Sequence, residues 1–310
     1  MKKQRIKMIL NPNADMGNAW KRASDLRYMA EKYGDVSWAG TVFPTHAKEL
    51  AQQAAEDGFD IVVAVGGDGT AHEVINGLME VPADKRPRFG IVPMGSGNDY
   101  AANLGLPRNP EEALHAIMNG EPHKMDLGIL EDDLGRRIYW DNTINIGFGG
   151  SVNVYSHTLP LLRGLLMYFV AVVQTILIRY DVLNVKLIAD GEEWEGETMM
   201  ITLCNGPREG GGFMSGPNAI MDDGILDYAI LRKMSRLMMF RMIPEYMKGT
   251  QERFTKLVRP GRFKKIEIIA QQPLYLHTDG ETFAGFSHNV RHLKAEVLPA
   301  ALEVMLPAKK

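Results

Sequence analysis

Hydrophobic and polar positions alternate along this chain in two different rhythms. Over the first 120 or so residues, short apolar runs are each followed by a segment of helical period. The runs are Arg5–Leu10, Val36–Thr41, Ile61–Val65 and Phe89–Val92, and the helical segments are Asn18–Tyr33, His46–Asp57, Thr70–Met79 and Asn98–Leu104. In the first of these helices Leu26, Met29, Ala30 and Tyr33 recur at i, i+3, i+4 and i+7, which makes one apolar face. A further helix opens at Asn109-Pro110-Glu111-Glu112, a cap, a proline at the first helical position and early acids, and closes near Asn119-Gly120. Strands that alternate with helices predict a parallel sheet wrapped on its faces by helices.

Beyond about Asp126 the rhythm shortens. Strand-like runs at Tyr139–Ile146, Val182–Ala189, Glu197–Cys204, Leu226–Leu231, Lys265–Ala270 and Leu274–His277 are separated by glycine-rich turns. Asp190-Gly191 and Asp279-Gly280 are hairpin signals. Two helices interrupt this half, at Pro160–Ile178 and Ser235–Lys248. The expectation is an N-terminal α/β domain over residues 1–125 and a C-terminal, mostly antiparallel, β-sandwich-like domain over residues 126–299. The tail, residues 300–310, is expected to pack back on the first domain, and the active site to lie in the cleft between the two.

Composition narrows the function classes. Apolar residues make up 45% and charged residues 24%, as in an ordinary soluble globular protein. A formal net charge of -3 gives no general reason to expect nucleic-acid binding. The single cysteine, Cys204, excludes an intramolecular disulfide and suits a reducing cytoplasmic setting. Between Arg163 and Arg179 lie 15 uncharged residues, fewer than the ~20 needed to span a bilayer. They read as a buried helix or as one that touches a membrane surface.

Chemistry is concentrated where strands meet glycines. Ile61–Val65 ends at Gly66-Gly67-Asp68-Gly69-Thr70, and a helix follows at once. Such a corner lets backbone approach an anion beneath a helix N-terminus. It is neither a P-loop nor a dinucleotide fingerprint, since no GxxxxGK[ST] occurs and the third glycine is missing. An aspartate inside it implies a bound cation or a proton-transfer task. Thr70 and Glu73 alone would make a capping box that needs no ligand. A second corner, Val92–Pro107, repeats the pattern with Ser96, Asn98 and Asp99 at the helix start, more polar groups than capping requires.

Together, GGDGT with HEVINGL and then PMGSGNDYA resemble the nucleotide-binding half of the diacylglycerol kinase catalytic family, which includes soluble bacterial lipid kinases and is related to sphingosine and ceramide kinases. ILNPNADMG is similar to that family's Asn-Pro loop, with Ala14-Asp15 in place of the usual Ser-Gly pair. GTVFPTHAKELA resembles the stretch whose threonine contacts ATP, here Thr41. NGPREGGGFMSGPNAIMDDGILDYAIL and YLHTDGETF resemble its glycine-rich, D-D-G and closing D-G-E segments. The resemblance implies ATP around Asn11, Pro12, Asn13, Thr41, Gly66, Gly67, Asp68, Gly69, Thr70, Glu73 and Ser96. It also implies Mg²⁺ held by the Asp223 carboxylate and the carbonyls of Ile220 and Ile225.

Asp-Gly-Glu occurs twice, at Asp190–Glu192 and at Asp279–Glu281. Its place after the D-D-G segment selects Glu281 as the catalytic base, and burial is expected to raise its pKa into a useful range. Asp68 is expected to be the second catalytic carboxylate, and alanine at either position is expected to abolish turnover with the fold intact. The implied activity is an ATP- and Mg²⁺-dependent lipid kinase acting on a hydroxyl of a lipid such as diacylglycerol. The alternatives are an NAD kinase-like enzyme and an inactive lipid- or nucleotide-binding regulator.

Between Leu231 and Lys265, eleven Lys and Arg face two glutamates, a local excess of +9 (eleven minus two). With Leu161–Ile178 this stretch is expected to dock the enzyme transiently on an anionic membrane surface, as a cytoplasmic protein peripheral to the bilayer. Nucleic acid is not an expected partner, and the sequence leaves the acceptor lipid and the oligomeric state open.

Overall fold

A computed structural model describes residues 3–159 and 161–308. The chain divides into two units, Met1–Met125 with Ala300–Lys310, and Asp126–Pro299.

The first unit strings β1 (Arg5–Leu10), α1 (Asn18–Ala30), β2 (Asp35–Gly40), α2 (His46–Glu56), β3 (Ile61–Gly66), α3 (Asp68–Met79), β4 (Arg88–Pro93), α4 (Asp99–Asn103) and α5 (Pro110–Met118). Its strands lie in the order β4-β3-β1-β2, all parallel, so the central β3 has neighbours on both edges and helices over both faces. That explains why its whole sequence, IVVAVG, is buried and reads as a continuous apolar run instead of an alternating one. Asn109 caps α5 as its sequence predicts, accepting from the backbone N–H groups of Glu111 and Glu112. The α2 and α3 helices approach backbone to backbone at Gly77, where a Cβ would run into the carbonyl of Lys48.

The second unit contains β5 (Glu121–Asp132), β6 (Arg137–Trp140), β7 (Thr143–Gly147), α6 (Phe148–Ser156), α7 (Gly164–Ile178), β8 (Leu183–Ala189), β9 (Glu192–Cys204), β10 (Leu226–Arg232), α8 (Arg236–Lys248), β11 (Val258–Phe263), β12 (Lys265–Ala270), β13 (Leu276–Thr278), β14 (Glu281–Ala284) and β15 (His292–Leu306). The strand β5 begins just before the unit boundary. The run β14-β13-β7-β9-β8-β12-β15 is antiparallel throughout. β10 pairs antiparallel with both β9 and β11. The long β9 therefore lies against β8 with its first half and between β7 and β10 with its second, the arrangement of a sandwich. Its core holds Trp140, Ile144, Ile201, Leu203, Phe263 and Leu276. A second cluster seats α7 and α8 on the sheet through Ile176, Met239 and Met242 against Met199 and Leu231.

Several elements differ from the sequence reading, three of them near the site or the unit boundary. The single strand expected at Tyr139–Ile146 is two, β6 and β7, broken at Asp141-Asn142 because a carboxylate from another hairpin takes the backbone N–H groups there (below). The helix expected from Pro160 begins at Gly164, and Pro160 itself lies outside the described residues. The last strand, β15, belongs to the second unit up to Pro299 and to the first from Ala300, whose positive φ of 51° marks the change. Beyond it Val304 pairs parallel with Phe89 on β4, which adds an edge strand to the first unit's sheet.

Candidate functional site

In the first unit the carboxyl ends of four adjacent parallel strands carry the residues singled out by sequence. Asn11 follows β1, Thr41 follows β2, Gly66 ends β3 and Met94 follows β4. The N–H of Thr41 donates to the Leu10 carbonyl at 2.9 Å, that of Asn11 to Val65 at 3.0 Å and that of Met94 to Gly66 at 2.7 Å. These bonds carry the sheet one residue past its strands and align the loops. A crevice beyond strand ends is where open parallel sheets bind ligands.

The two glycine corners lie back to back. A Cβ on Gly67 would fall 2.9 Å from the Gly95 Cα, and one on Gly95 closer still to Gly67, so side chains at either position would push the corners apart. Gly66 is needed for another reason, since the Thr70 side chain occupies the space its Cβ would fill. The Thr70 hydroxyl in turn accepts from the Asn11 amide at 3.2 Å, which ties the first corner to the Asn-Pro loop. Asn13 closes that loop by donating its N–H to the Asn11 side chain at 3.0 Å. In the second corner Asn98, at φ 55°, bridges Gly95 by accepting from its N–H and donating to its carbonyl, both at 2.8 Å. Ser96 stands exposed at the tip.

Asp68 fastens one corner to the other. Its carboxylate accepts from the Tyr100 N–H at 3.0 Å, at the start of α4. Burial, then the nearby Asp99 carboxylate, push its pKa up, against the backbone N–H groups of Tyr100, Asp99 and Asn98. Asp68 therefore has a structural duty in addition to any chemical one, and replacing it also loosens the second corner. Glu73 does not close a capping box, because α3 starts from Gly67 with no side-chain cap. Its carboxylate reaches α2 instead, accepting from the N–H groups of Thr45 at 2.9 Å and Ala47 at 3.0 Å. The capping explanation for T-x-x-E is thereby removed, and Glu73 sets the start of the helix that follows Thr41.

In the second unit the closing Asp-Gly-Glu forms the β13–β14 turn, with Asp279 at φ 50° and Gly280 at φ 85°. The buried Asp279 carboxylate accepts the N–H groups of Asp141 at 3.0 Å, Asn142 at 2.9 Å and Thr143 at 2.9 Å. Asn153 on α6 grips the other side, donating to the Gly280 carbonyl at 2.6 Å and accepting from the Thr282 hydroxyl at 2.7 Å. Gly280 gives its N–H to His277 Nδ1 at 3.2 Å. Burial pushes the His277 pKa down to about 4, against Asp279 and Glu281, so the imidazole is neutral and its Nδ1 serves as acceptor. Held on both flanks, Glu281 is exposed and not buried as expected.

The Asp223 carboxylate accepts from the Ile225 N–H at 3.2 Å and pairs with Arg262, which also lies 3.8 Å from Asp227. Asp227 Oδ2 is buried without a hydrogen bond, and burial first of all lifts its carboxyl to about 6. Asp126 accepts from the Gly224 N–H at 2.6 Å. Carboxylate oxygens are what a hard divalent cation takes, and Asp223 and Asp227, both beside Arg262, offer them, one with no hydrogen-bond donor of its own. Ile220 is exposed and Ile225 half-buried at this turn.

Sequence reasoning missed Asn153, His277 and Glu209. Glu209, half-buried at the head of the glycine-rich segment, accepts from the Thr143 hydroxyl at 2.7 Å, the Asn145 amide at 2.5 Å and the Ser215 hydroxyl. Burial raises its pKa in spite of those donors. An acid directly before three glycines was the available signal.

Two families match this arrangement in order: the Diacylglycerol kinase catalytic domain over residues 5–130 and the YegS C-terminal NAD kinase beta sandwich-like domain over residues 142–306. The curated relatives include "Probable lipid kinase YegS-like" of Stenotrophomonas maltophilia, 31% identical over 265 residues and 84% of either chain. The protein of the same description in Chromohalobacter salexigens is 32% identical over 282 residues, 88% of this chain and 83% of that one. The crystal structure of a diacylglycerol kinase from Bacillus anthracis str. Sterne matches the fold with TM-score 0.73 at 22% identity, over 99% of this chain and 98% of that one. The chain belongs to the diacylglycerol kinase catalytic family, in its YegS-like branch of lipid kinases.

Proposed function

We propose that this lipid kinase transfers the γ-phosphate of ATP to a primary hydroxyl of a glycerolipid such as diacylglycerol. The observation that carries the nucleotide half of the reading is the back-to-back contact of Gly67 and Gly95 beyond four parallel strand ends. Bare backbone on two corners at once offers N–H groups to a polyphosphate without side chains in the way. Asn11, Pro12, Asn13 and Thr41 line the neighbouring strand ends, and Gly66, Gly69, Thr70 and Ser96 complete the corners. Glu73 contributes by holding the start of α2 against Thr41's loop.

Asp223 with the carbonyls of Ile220 and Ile225 would hold Mg²⁺, which when bound supplies positive charge to a region rich in carboxylates. Glu281 is the base. Its exposure leaves the carboxylate reachable by an acceptor hydroxyl, and the grip of Asp279 and Asn153 on the turn fixes where it points. Phosphoryl transfer asks mainly for such positioning, with one proton accepted as the hydroxyl oxygen bonds to phosphorus.

Radiolabelled γ-phosphate of ATP, offered with diacylglycerol in mixed micelles or with NAD, tests the assignment. Label is expected in the lipid, and label in NAD alone would replace the reading with the NAD-kinase one. The Glu281→Gln variant is expected to lose about 10²–10⁴-fold in kcat with its melting temperature unchanged. Asp68→Asn is expected to lose turnover and thermal stability together, because it also loosens the hold on α4.

A further inference from the structure

The acid-poor part of the second unit has a surface the kinase reading leaves unused. From Asn142 to Tyr180 the sequence contains no aspartate or glutamate. Within it α7 is apolar on both sides. Ala171, Thr175 and Ile176 are buried toward the sheet, while Leu165, Leu166, Phe169, Leu177 and Ile178 face outward. A helix at the surface of a globular protein normally turns charge toward water, and this one turns leucine. The patch continues past both ends of α7. Leu161 is 93% exposed before it, and Leu237, on the first turn of α8, is 81% exposed. Arg236 joins the two helices by donating to the Ile176 carbonyl at 2.9 Å.

In the basic stretch, by contrast, five of the eleven cations already have acidic partners. Lys233 pairs with Glu197, Arg241 and Arg253 with Glu245, Arg262 with Asp223 and Lys265 with Glu296. The Thr250 hydroxyl, then Arg241 and Arg253, hold the Glu245 carboxyl down at about 2, so those two arginines keep their partner throughout the neutral range. Cations already matched by internal acids have little left for lipid headgroups.

We infer that the outward face of α7, with Leu161 and Leu237, is the surface by which this protein lies on a lipid bilayer, and that apolar insertion rather than charge supplies the hold. The occupant follows from the chemistry. The face is apolar and free of acids, so an anionic or zwitterionic interface does not repel it, and Arg163 and Arg236 stand at its margins. At 15 residues α7 is too short to cross, and among the described residues no helix is long and apolar enough to do so. A helix of this kind rests in the interface with its apolar side among the acyl chains. The same segment leads to the closing turn. Tyr168 on α7 has its hydroxyl 3.5 Å from where a Gly280 Cβ would stand, and Asn153 on α6 holds Gly280 and Thr282. Docking by α7 thus brings the headgroup layer to the hairpin that carries Glu281. Only this last step rests on the proposed kinase mechanism.

The test is sedimentation of the full chain with phosphatidylcholine vesicles, with and without phosphatidylglycerol, in the absence of ATP. Leu166→Asp with Phe169→Asp, and separately Leu237→Asp, are expected to raise the lipid needed for half-maximal binding by about tenfold or more, since each aspartate removes an inserted side chain. Both sites are exposed, and an unchanged melting temperature separates lost docking from lost folding. High salt is expected to shift wild-type binding by no more than about threefold, as befits an apolar hold. Variants that bind like wild type would overturn the inference, as would wild-type binding that high salt abolishes. A wild-type dimer that the same substitutions convert to monomer would overturn it too, by giving the face to a second copy of the chain. Because sedimentation measures no turnover, it stands apart from the radiolabel assay, and failure of that assay with docking intact would sink the kinase mechanism and leave the surface standing.

Discussion

The two Asp-Gly-Glu hairpins of the second unit have the same three letters and the same backbone, yet they are built for different work. In both, the aspartate and glycine take positive φ, 48° and 91° at Asp190-Gly191 and 50° and 85° at Asp279-Gly280. In both, the aspartate carboxylate reaches across to backbone N–H groups of a neighbouring segment. Asp190 is exposed and takes those of Lys264 and Lys265, each at 2.8 Å. Asp279 is buried and takes three, from Asp141, Asn142 and Thr143. The first turn then runs into Glu192, Glu193, Glu195 and Glu197, a charged strand in water. The second is flanked by His277 and Asn153, so that a single glutamate projects from a turn braced on two sides. A hairpin becomes a candidate catalytic element through what grips it from behind.

The largest effect expected of that difference is on stability. Asp279→Ala leaves three N–H groups without their acceptor in a place water reaches poorly, and the cost should be about 3–5 kcal/mol. Urea unfolding of the variant measures it. A loss below about 1 kcal/mol would mean that the break between β6 and β7 has other support, and that the bracing of the second hairpin is weaker than its hydrogen bonds suggest.

A smaller effect is expected from pH. His277 has its pKa lowered from 6.5 to about 4, so the unfolded chain binds its proton first as acid is added. Its contribution to stability is complete above pH 6.5 and is lost as the pH falls toward 4. At pH 5 the loss should be about 2 kcal/mol relative to pH 7. Asp68, Glu209 and Asp227 act in the opposite sense, since raised carboxyls lose their stabilising effect as the pH rises. Wild type must therefore be compared with His277→Asn, whose unfolding free energy should fall less between pH 7 and pH 5. Equal slopes for the two proteins would show that the closing hairpin carries no buried imidazole in solution.

The contrast also shows what a sequence can and cannot disclose. The strands β3 and β4 were legible because both are buried on both faces and so, after Arg88, are apolar without interruption. The Asp-Gly turns were legible because few residues other than Asp, Asn and Gly tolerate positive φ. By contrast α6, FGGSVNVYS, was not read as a helix. Its two glycines and its buried Ser151 and Asn153 give no amphipathic period, and Asn153 is polar there because it serves the hairpin. β15 was invisible as one strand because Pro299 and the positive φ of Ala300 interrupt its pattern where it passes between units. At the site, residue types were readable but their partners were not. Glu73 looks local and caps a helix 28 residues away, and Asp68 holds an N–H 32 residues away. Contacts made across such separations leave no periodicity for a sequence pattern to record.

The smallest effect sharpens the comparison from the other side. Asp190→Ala also removes a carboxylate from two backbone N–H groups, but both bonds are exposed, and water can replace the lost acceptor. The cost should stay below about 1 kcal/mol, and lipid phosphorylation should stay within about twofold of wild type, because nothing about this turn projects a braced group. Glu192→Gln should be as mild, since Glu192 belongs to a solvated acidic strand. If Glu192→Gln instead lost activity on the scale expected of Glu281→Gln, the order of motifs along the chain would have selected the wrong hairpin. The base would then have to be sought in the first Asp-Gly-Glu, and the grip of Asn153 and Asp279 on the second would be a matter of folding alone.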